Sequence, residues 1–139
     1  MTVRVAGAEE GPLWSEISAR GWSHDHPELG DFIRQLNAIS STREHSTYFL
    51  ADFEGQTGAA GVLCIHDGVA LFGGAATVPE LRRRGLQGAL LQARMRYARE
   101  HGCDLAMMGA EVGSDSQRNA ERKGFQVAYS RIKWRLASA

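Results

Sequence analysis

The chain lacks a surplus of either charge. Lys+Arg and Asp+Glu number 16 each, so the formal net charge is zero. A domain whose main work is binding nucleic acid carries a basic surplus, so no nucleic-acid partner is expected. No apolar run is long enough to span a bilayer, and the N-terminus lacks a secretory-signal pattern. The expected compartment is the cytoplasm, with no membrane partner. Only two cysteines occur, Cys64 and Cys103. Both lie in or beside strand-like runs and read as small buried residues rather than a disulfide. No metal-ligand spacing exists. The alternation His24-Asp25-His26 lies on a loop and is not a preformed site, so no metal is expected. The spacings G-x-x-x-x-G-K-[ST] and G-x-G-x-x-G are both missing, which removes support for a nucleotide triphosphatase or a dinucleotide fold. Internal repeats, low-complexity segments and linkers are absent too, and 139 residues fit one domain over 1–139.

What is present concentrates in one stretch, Val78-Pro79-Glu80-Leu81-Arg82-Arg83-Arg84-Gly85-Leu86-Gln87-Gly88-Ala89-Leu90-Leu91. It joins a strand-like run, Val69 to Val78, to a strongly periodic helix. Leu86, Ala89, Leu90, Ala93 and Tyr97 fall on one helix face, while Gln87, Gln92, Arg94 and Arg99 fall elsewhere. Gly102 closes the helix. An arginine run with a glycine is, alone, equally well read as a solvated turn. The strand before it and the helix after it favour an anion site. A helix start offers backbone N–H groups without intrahelical partners and the positive end of the macrodipole. Glycine permits close approach, and arginine forks match phosphate oxygens. The ligand this predicts is a phosphate or pyrophosphate.

Pro79-x-x-Arg82-Arg83-Arg84-Gly85-Leu86-Gln87-x-Ala89-Leu90-Leu91 resembles the acyl-CoA pyrophosphate loop of the GNAT superfamily of N-acetyltransferases, roughly [QR]-x-x-G-x-[GA]. Arg82 matches the first position and Gly85 the first glycine. Gln87 departs from the second small residue, but its N–H can still donate if its side chain points away. A second block, Gly113 to Phe125, resembles the family's fourth helix and following Gly-Phe. Ser114 and Gln117 have capping-box spacing, and Gly124 sits at a C′ position. The resemblance covers roughly Thr47 to Trp134. It implies acetyl-CoA as co-substrate, held by Arg82, Arg83, Arg84, Gly85, Leu86, Gln87, Gly88 and Ala89. The pantetheine arm would pair with backbone at Ala76, Thr77 and Val78, with Asn119 and Arg122 as further contacts. A backbone N–H near Thr77 or Val78 would serve the oxyanion. The family's tyrosine, which protonates the departing thiolate, is replaced by Ala120. Tyr129 lies beyond it.

The implied fold is α/β of the α+β kind: a mixed, largely antiparallel GNAT-like central sheet with helices on both faces, in the order β-α-α-β-β-β-α-β-α-β. The sequence reads accordingly. Strands are expected at Thr2–Val5, Thr47–Phe53, Gly58–Ile65, Val69–Val78, Leu105–Gly109 and Phe125–Leu136. Helices are expected at Pro12–Arg20, ending at Gly21, at Leu29–Ile39, and after the loop and after Gly113. Gly73-Gly74 marks a bulge or a close approach by ligand. The chain is short for the family, either a complete compact member, which Met1 favours, or half of a tandem protein.

The implied activity is transfer of an acetyl group to a primary amine of a small molecule or peptide by direct attack. The alternative is a non-catalytic acyl-CoA-binding regulatory module. For the general base Glu111 is the first choice, with Glu28, His26 and His66 behind it. Trp22, His24 and Glu28 are the expected substrate wall. Family members often form dimers, so a homodimer is compatible with the resemblance.

Overall fold

The computed structural model describes residues 1–40 and 43–137. They fall into two compact units, Met1–Gly109 and Ala110–Ala139. The first unit holds a five-stranded sheet in sequence order. Strands β1 (Thr2–Val5), β2 (Ser46–Phe53), β3 (Gln56–His66) and β4 (Val69–Thr77) pair antiparallel, and β5 (Leu105–Met108) pairs parallel with β4. The hairpins follow from two-residue turns. Glu54-Gly55 and Asp67-Gly68 both place two successive residues at positive φ, the type I′ geometry that matches strand twist. The parallel partner of β4 needs a crossover, and α3 (Leu86–Glu100) supplies it.

Strand alternation separates two packed faces. Tyr48, Leu50, Ala60 and Val62 join Trp14 and Ile17 of α1 (Gly11–Ser23) in the main apolar cluster. Phe49 turns the other way, its ring edge-on to Tyr97 of α3 with centroids 5.4 Å apart. Helices therefore cover both faces of a mostly antiparallel sheet, as expected.

Three expectations about this unit change. Helix α1 does not stop before Gly21 but runs to Ser23. Gly21 is there for proximity: a Cβ on it would lie 2.6 Å from the Ala76 Cβ and 3.0 Å from the Thr77 nitrogen. Helix α2 (Gly30–Ser40) forms as read, yet Phe32, Leu36 and Ile39 of its apolar face are exposed. Arg94, expected off the apolar face of α3, is 3% exposed. It stands in the row Leu86-Leu90-Arg94-Ala98, spaced by four, which faces the sheet.

The second unit contains α4 (Asp115–Arg122), closed by Gly124 at positive φ. The strand expected over Phe125–Leu136 is not formed. Its alternation is real, but Val127, Tyr129, Ile132, Trp134 and Leu136 are all exposed. Alternation shows only that one side could face a core; a strand also requires ladder bonds to a neighbour.

Candidate active site

Strand β4 ends at Thr77, a 3₁₀ turn spans Pro79–Leu81, and α3 opens at Leu86. Between turn and helix, Arg83 and Gly85 take φ of 62° and 84°. At Gly85 any side chain would meet the left-handed penalty of roughly 1–2 kcal/mol. The first-turn N–H groups of Leu86, Gln87 and Gly88 have no intrahelical acceptor. Ala89 is the first to close, on the Gly85 carbonyl at 3.0 Å. The Leu86 side chain is buried and anchors this turn to the core. The Gln87 side chain donates to the Thr77 hydroxyl at 2.7 Å. It is thereby drawn toward Thr77 of β4. A Cβ on Gly88 would meet nothing within 4 Å, so the first turn is open on that side.

The three arginines divide. Arg83 and Arg84 are exposed, and Arg84 lies 5.7 Å from the Phe53 ring centroid. Arg82 is a strut. It donates to Asp25 at 2.9 and 3.2 Å, to the Gly21 carbonyl at 3.0 Å and to the Thr77 carbonyl at 3.4 Å. It ties the end of α1 to the loop, and its hydrogen bond holds the Asp25 carboxyl below the usual range. No local pattern marks this partner, which is 57 positions away.

Backbone direction sorts the β4 residues. Val78 donates its N–H to the Gly58 carbonyl at 2.9 Å, so it is not the free oxyanion donor the sequence allowed. Backbone groups alternate along an antiparallel ladder, which turns those of Ala76 toward β3 and those of Thr77 away from it. Strand β5 pairs only with Val69–Phe72, leaving β4 from Gly73 onward without a β5 neighbour. The end of β4 nearest the arginine loop is therefore unpaired on that side. At the same place the β3–β4 register shifts, from Ala60↔Ala76 to Val62↔Gly73, and Gly74 takes a φ of 54°. This is the bulge that Gly73-Gly74 marked. A cleft of about 250 Å³ adjoins it, lined among others by Trp14, Leu36, Tyr48, Val62, Gly73 and Gly74.

The candidate bases are dispersed. His26 and Glu28 are exposed and 3.6 Å apart. His66 is exposed at the end of β3, beside the start of β4 and so at the opposite end of that strand from the arginine loop. Trp22 and His24 lie at the end of α1. Among the described residues no three His, Cys, Asp or Glu side chains gather as metal ligands would. No helix among those residues is long and apolar enough to cross a membrane.

In the second unit Glu111 is exposed ahead of α4. Ser114 caps α4 by accepting from the Gln117 N–H at 3.2 Å. Gln117 reaches back to the N–H of Gly113 at 2.8 Å, one residue earlier than a standard capping box. Arg122 donates to the Asn119 carbonyl oxygen at 2.9 Å, so the two expected cofactor contacts of this helix meet each other. Ala120 is buried and Tyr129 exposed.

The acetyltransferase (GNAT) family model matches residues 12–125, which includes the glycine loop, β4 and α4. The chain belongs to the GNAT acetyltransferase family. Solved structures share the fold at low identity. The aminoglycoside N-acetyltransferase AAC(6')-Iy, in complex with the bisubstrate analogue CoA-S-monomethyl-acetylneamine, aligns with a TM-score of 0.74 at 19% identity, over 99% of this chain and 98% of that one. The aminoglycoside 6'-N-acetyltransferase AAC(6')-IG from Acinetobacter haemolyticus gives 0.68 at 19% identity, over all of both chains. A predicted acetyltransferase with acetyl-CoA from Clostridium acetobutylicum gives 0.72 at 14% identity, over 96% of this chain and 95% of that one. No curated protein sequence matches the chain.

Proposed function

We propose that this acetyltransferase moves an acetyl group from acetyl-CoA to a primary amine of a small molecule. The carrying observation is the junction of β4 and α3. There a left-handed Gly85, unclosed first-turn amides, a Gln87 side chain bonded to Thr77 and two exposed arginines occupy one short loop. The N–H groups of Leu86, Gln87 and Gly88 would hold the pyrophosphate, with Arg83 and Arg84 adding charge. Arg82 would contribute by fixing the loop rather than through its fork. Backbone at Thr77 faces the open side of β4, where an extended arm can pair, whereas that of Ala76, also proposed for the arm, is turned toward β3. The pairing just described makes Thr77 the better oxyanion donor. In the reaction the neutral amine nitrogen bonds to the thioester carbon, the carbon–sulfur bond breaks, and the amine proton leaves through a base. Glu111 remains the proposed base, with Asn119 and Arg122 as proposed contacts to the co-substrate. The match from α1 through α4 supports reading the chain as one catalytic domain, and the aminoglycoside-modifying neighbours support a small-molecule acceptor.

Thermal unfolding tests the co-substrate. Acetyl-CoA should raise the melting temperature by mass action. ATP and NAD should raise it much less, having no pantetheine arm. Equal shifts from all three would mean a generic phosphate site.

A further inference from the structure

Arg94 is a cation in an apolar row. Burial with no compensating carboxylate pulls its pKa down to about 10. A buried charge is tolerated only where its donors are satisfied. Its terminal nitrogen Nη1 bridges two main-chain carbonyls on neighbouring strands, Val62 of β3 at 3.1 Å and Gly73 of β4 at 3.2 Å. Nε donates to Leu90, and the guanidinium lies 5.2 Å from the Phe72 ring centroid. Gly61 makes room, since a Cβ there would sit 3.3 Å from the guanidinium carbon.

These carbonyls are not arbitrary. Val62 and Gly73 are the pair at which the ladder resumes after the bulge. The third carbonyl of that region, Gly61, accepts from Trp14 Nε1 at 3.1 Å. The bulge is thus gripped from both faces, by Trp14 of α1 and by Arg94 of α3. Beyond it β4 continues as the stretch Gly74–Thr77 that β5 does not cover. Without the Arg94 bridge the two carbonyls would lose a charged donor, and the bulge would be held on this face by ladder bonds alone.

We propose that Arg94 is a positioning residue for acetyl transfer: by bridging the Val62 and Gly73 carbonyls it fixes the bulge that aims the open backbone of Gly74–Thr77 at the thioester. This rests on the acetyl-transfer reading above. The role differs from simple core filling because it predicts an effect on turnover in protein that remains folded. It also differs from pyrophosphate binding, which belongs to the arginine loop at the end of the strand.

The test compares wild type with Arg94→Met, Arg94→Lys and Gly61→Ala, all assayed well below their melting temperatures. Arg94→Met should lower kcat roughly 10- to 100-fold, the scale of a misplaced reacting group, with a much smaller change in acetyl-CoA affinity by calorimetry. Arg94→Lys, whose ammonium can still donate to both carbonyls, should restore part of kcat. Gly61→Ala keeps the charge and the apolar core but crowds the guanidinium, and should lower kcat in the same direction. It also serves if Arg94→Met does not fold. Amide exchange of the free protein should quicken at residues 73–77 in Arg94→Met while the β1–β2 pairing stays protected. Variants that fold, turn over like wild type and leave exchange at 73–77 unchanged would overturn the proposal and leave acetyl transfer intact. Wild type that neither binds nor consumes acetyl-CoA would bring down the acetyl-transfer reading, and this inference with it.

Discussion

Arg84→Ala separates charge from backbone in the proposed pyrophosphate loop. The side chain is exposed, and its one described contact is the Phe53 ring at 5.7 Å. An exposed cation–π contact is worth roughly 0.5–1 kcal/mol. The free protein should therefore lose only ~2–4 °C of melting temperature. Bound acetyl-CoA would lose one charge-assisted contact, on the order of 1.5–3 kcal/mol. That corresponds to roughly 10- to 150-fold weaker binding. The contact is remote from the reacting carbonyl, so it should raise KM more than it lowers kcat. Titration calorimetry at low and high salt reads both parts. Salt should weaken the wild type more than the variant, which has one less cation to screen. Arg82→Ala should behave differently. It removes the strut to Asp25, Gly21 and Thr77, so it should lower stability more than Arg84→Ala does. If Arg84→Ala binds acetyl-CoA like the wild type at both salt concentrations, Arg84 is a solvated surface residue and the charge half of the argument is wrong.

Three further outcomes are expected. Gly85→Val forces a branched side chain into a φ of 84°, which costs roughly 1–2 kcal/mol or more in stability. It should also weaken acetyl-CoA binding at least as much as Arg84→Ala, because it blocks approach to the first-turn amides; calorimetry beside a melting curve checks both. Gly21→Ala places a Cβ 2.6 Å from that of Ala76, and overpacking of this kind costs about 1–3 kcal/mol, read as a lower melting temperature. Finally, Arg82 holds the Asp25 carboxyl below its ordinary pKa. Its contribution to stability is complete above the ordinary, unfolded value and is lost as pH falls through the lowered, folded one. The melting-temperature gap between wild type and Asp25→Asn should be constant near neutrality and close in acid. A gap that persists in strong acid would contradict the pairing.

Features written in short-range chemistry were legible. Short gaps between the expected strands marked both hairpins, the row from Leu86 onward marked α3, and Gly73-Gly74 marked the bulge. Features decided by distant partners were not. The Arg82 fork is taken by Asp25 and the Val78 N–H by the Gly58 carbonyl, partners that no local pattern names. The alternation of Phe125–Leu136 could not say whether a neighbouring strand would be there. Arg94 is expected off the apolar face of the helix, although its spacing of four from Leu90 puts it in the core row. A charged residue inside such a row was the signal that could have found it. Gly21 was misread for a related reason: a glycine near a helix end suits a cap and a close contact equally, and only β4 tells them apart.

The most direct measurement is steady-state release of CoA from acetyl-CoA over a panel of small-molecule amines, with Gly85→Val as the control. The account predicts that at least one amine drives release that saturates in both substrates and falls sharply in the control. Acetyl-CoA that binds, with no amine raising release above the amine-free rate, would contradict it and leave a non-catalytic acyl-CoA-binding module.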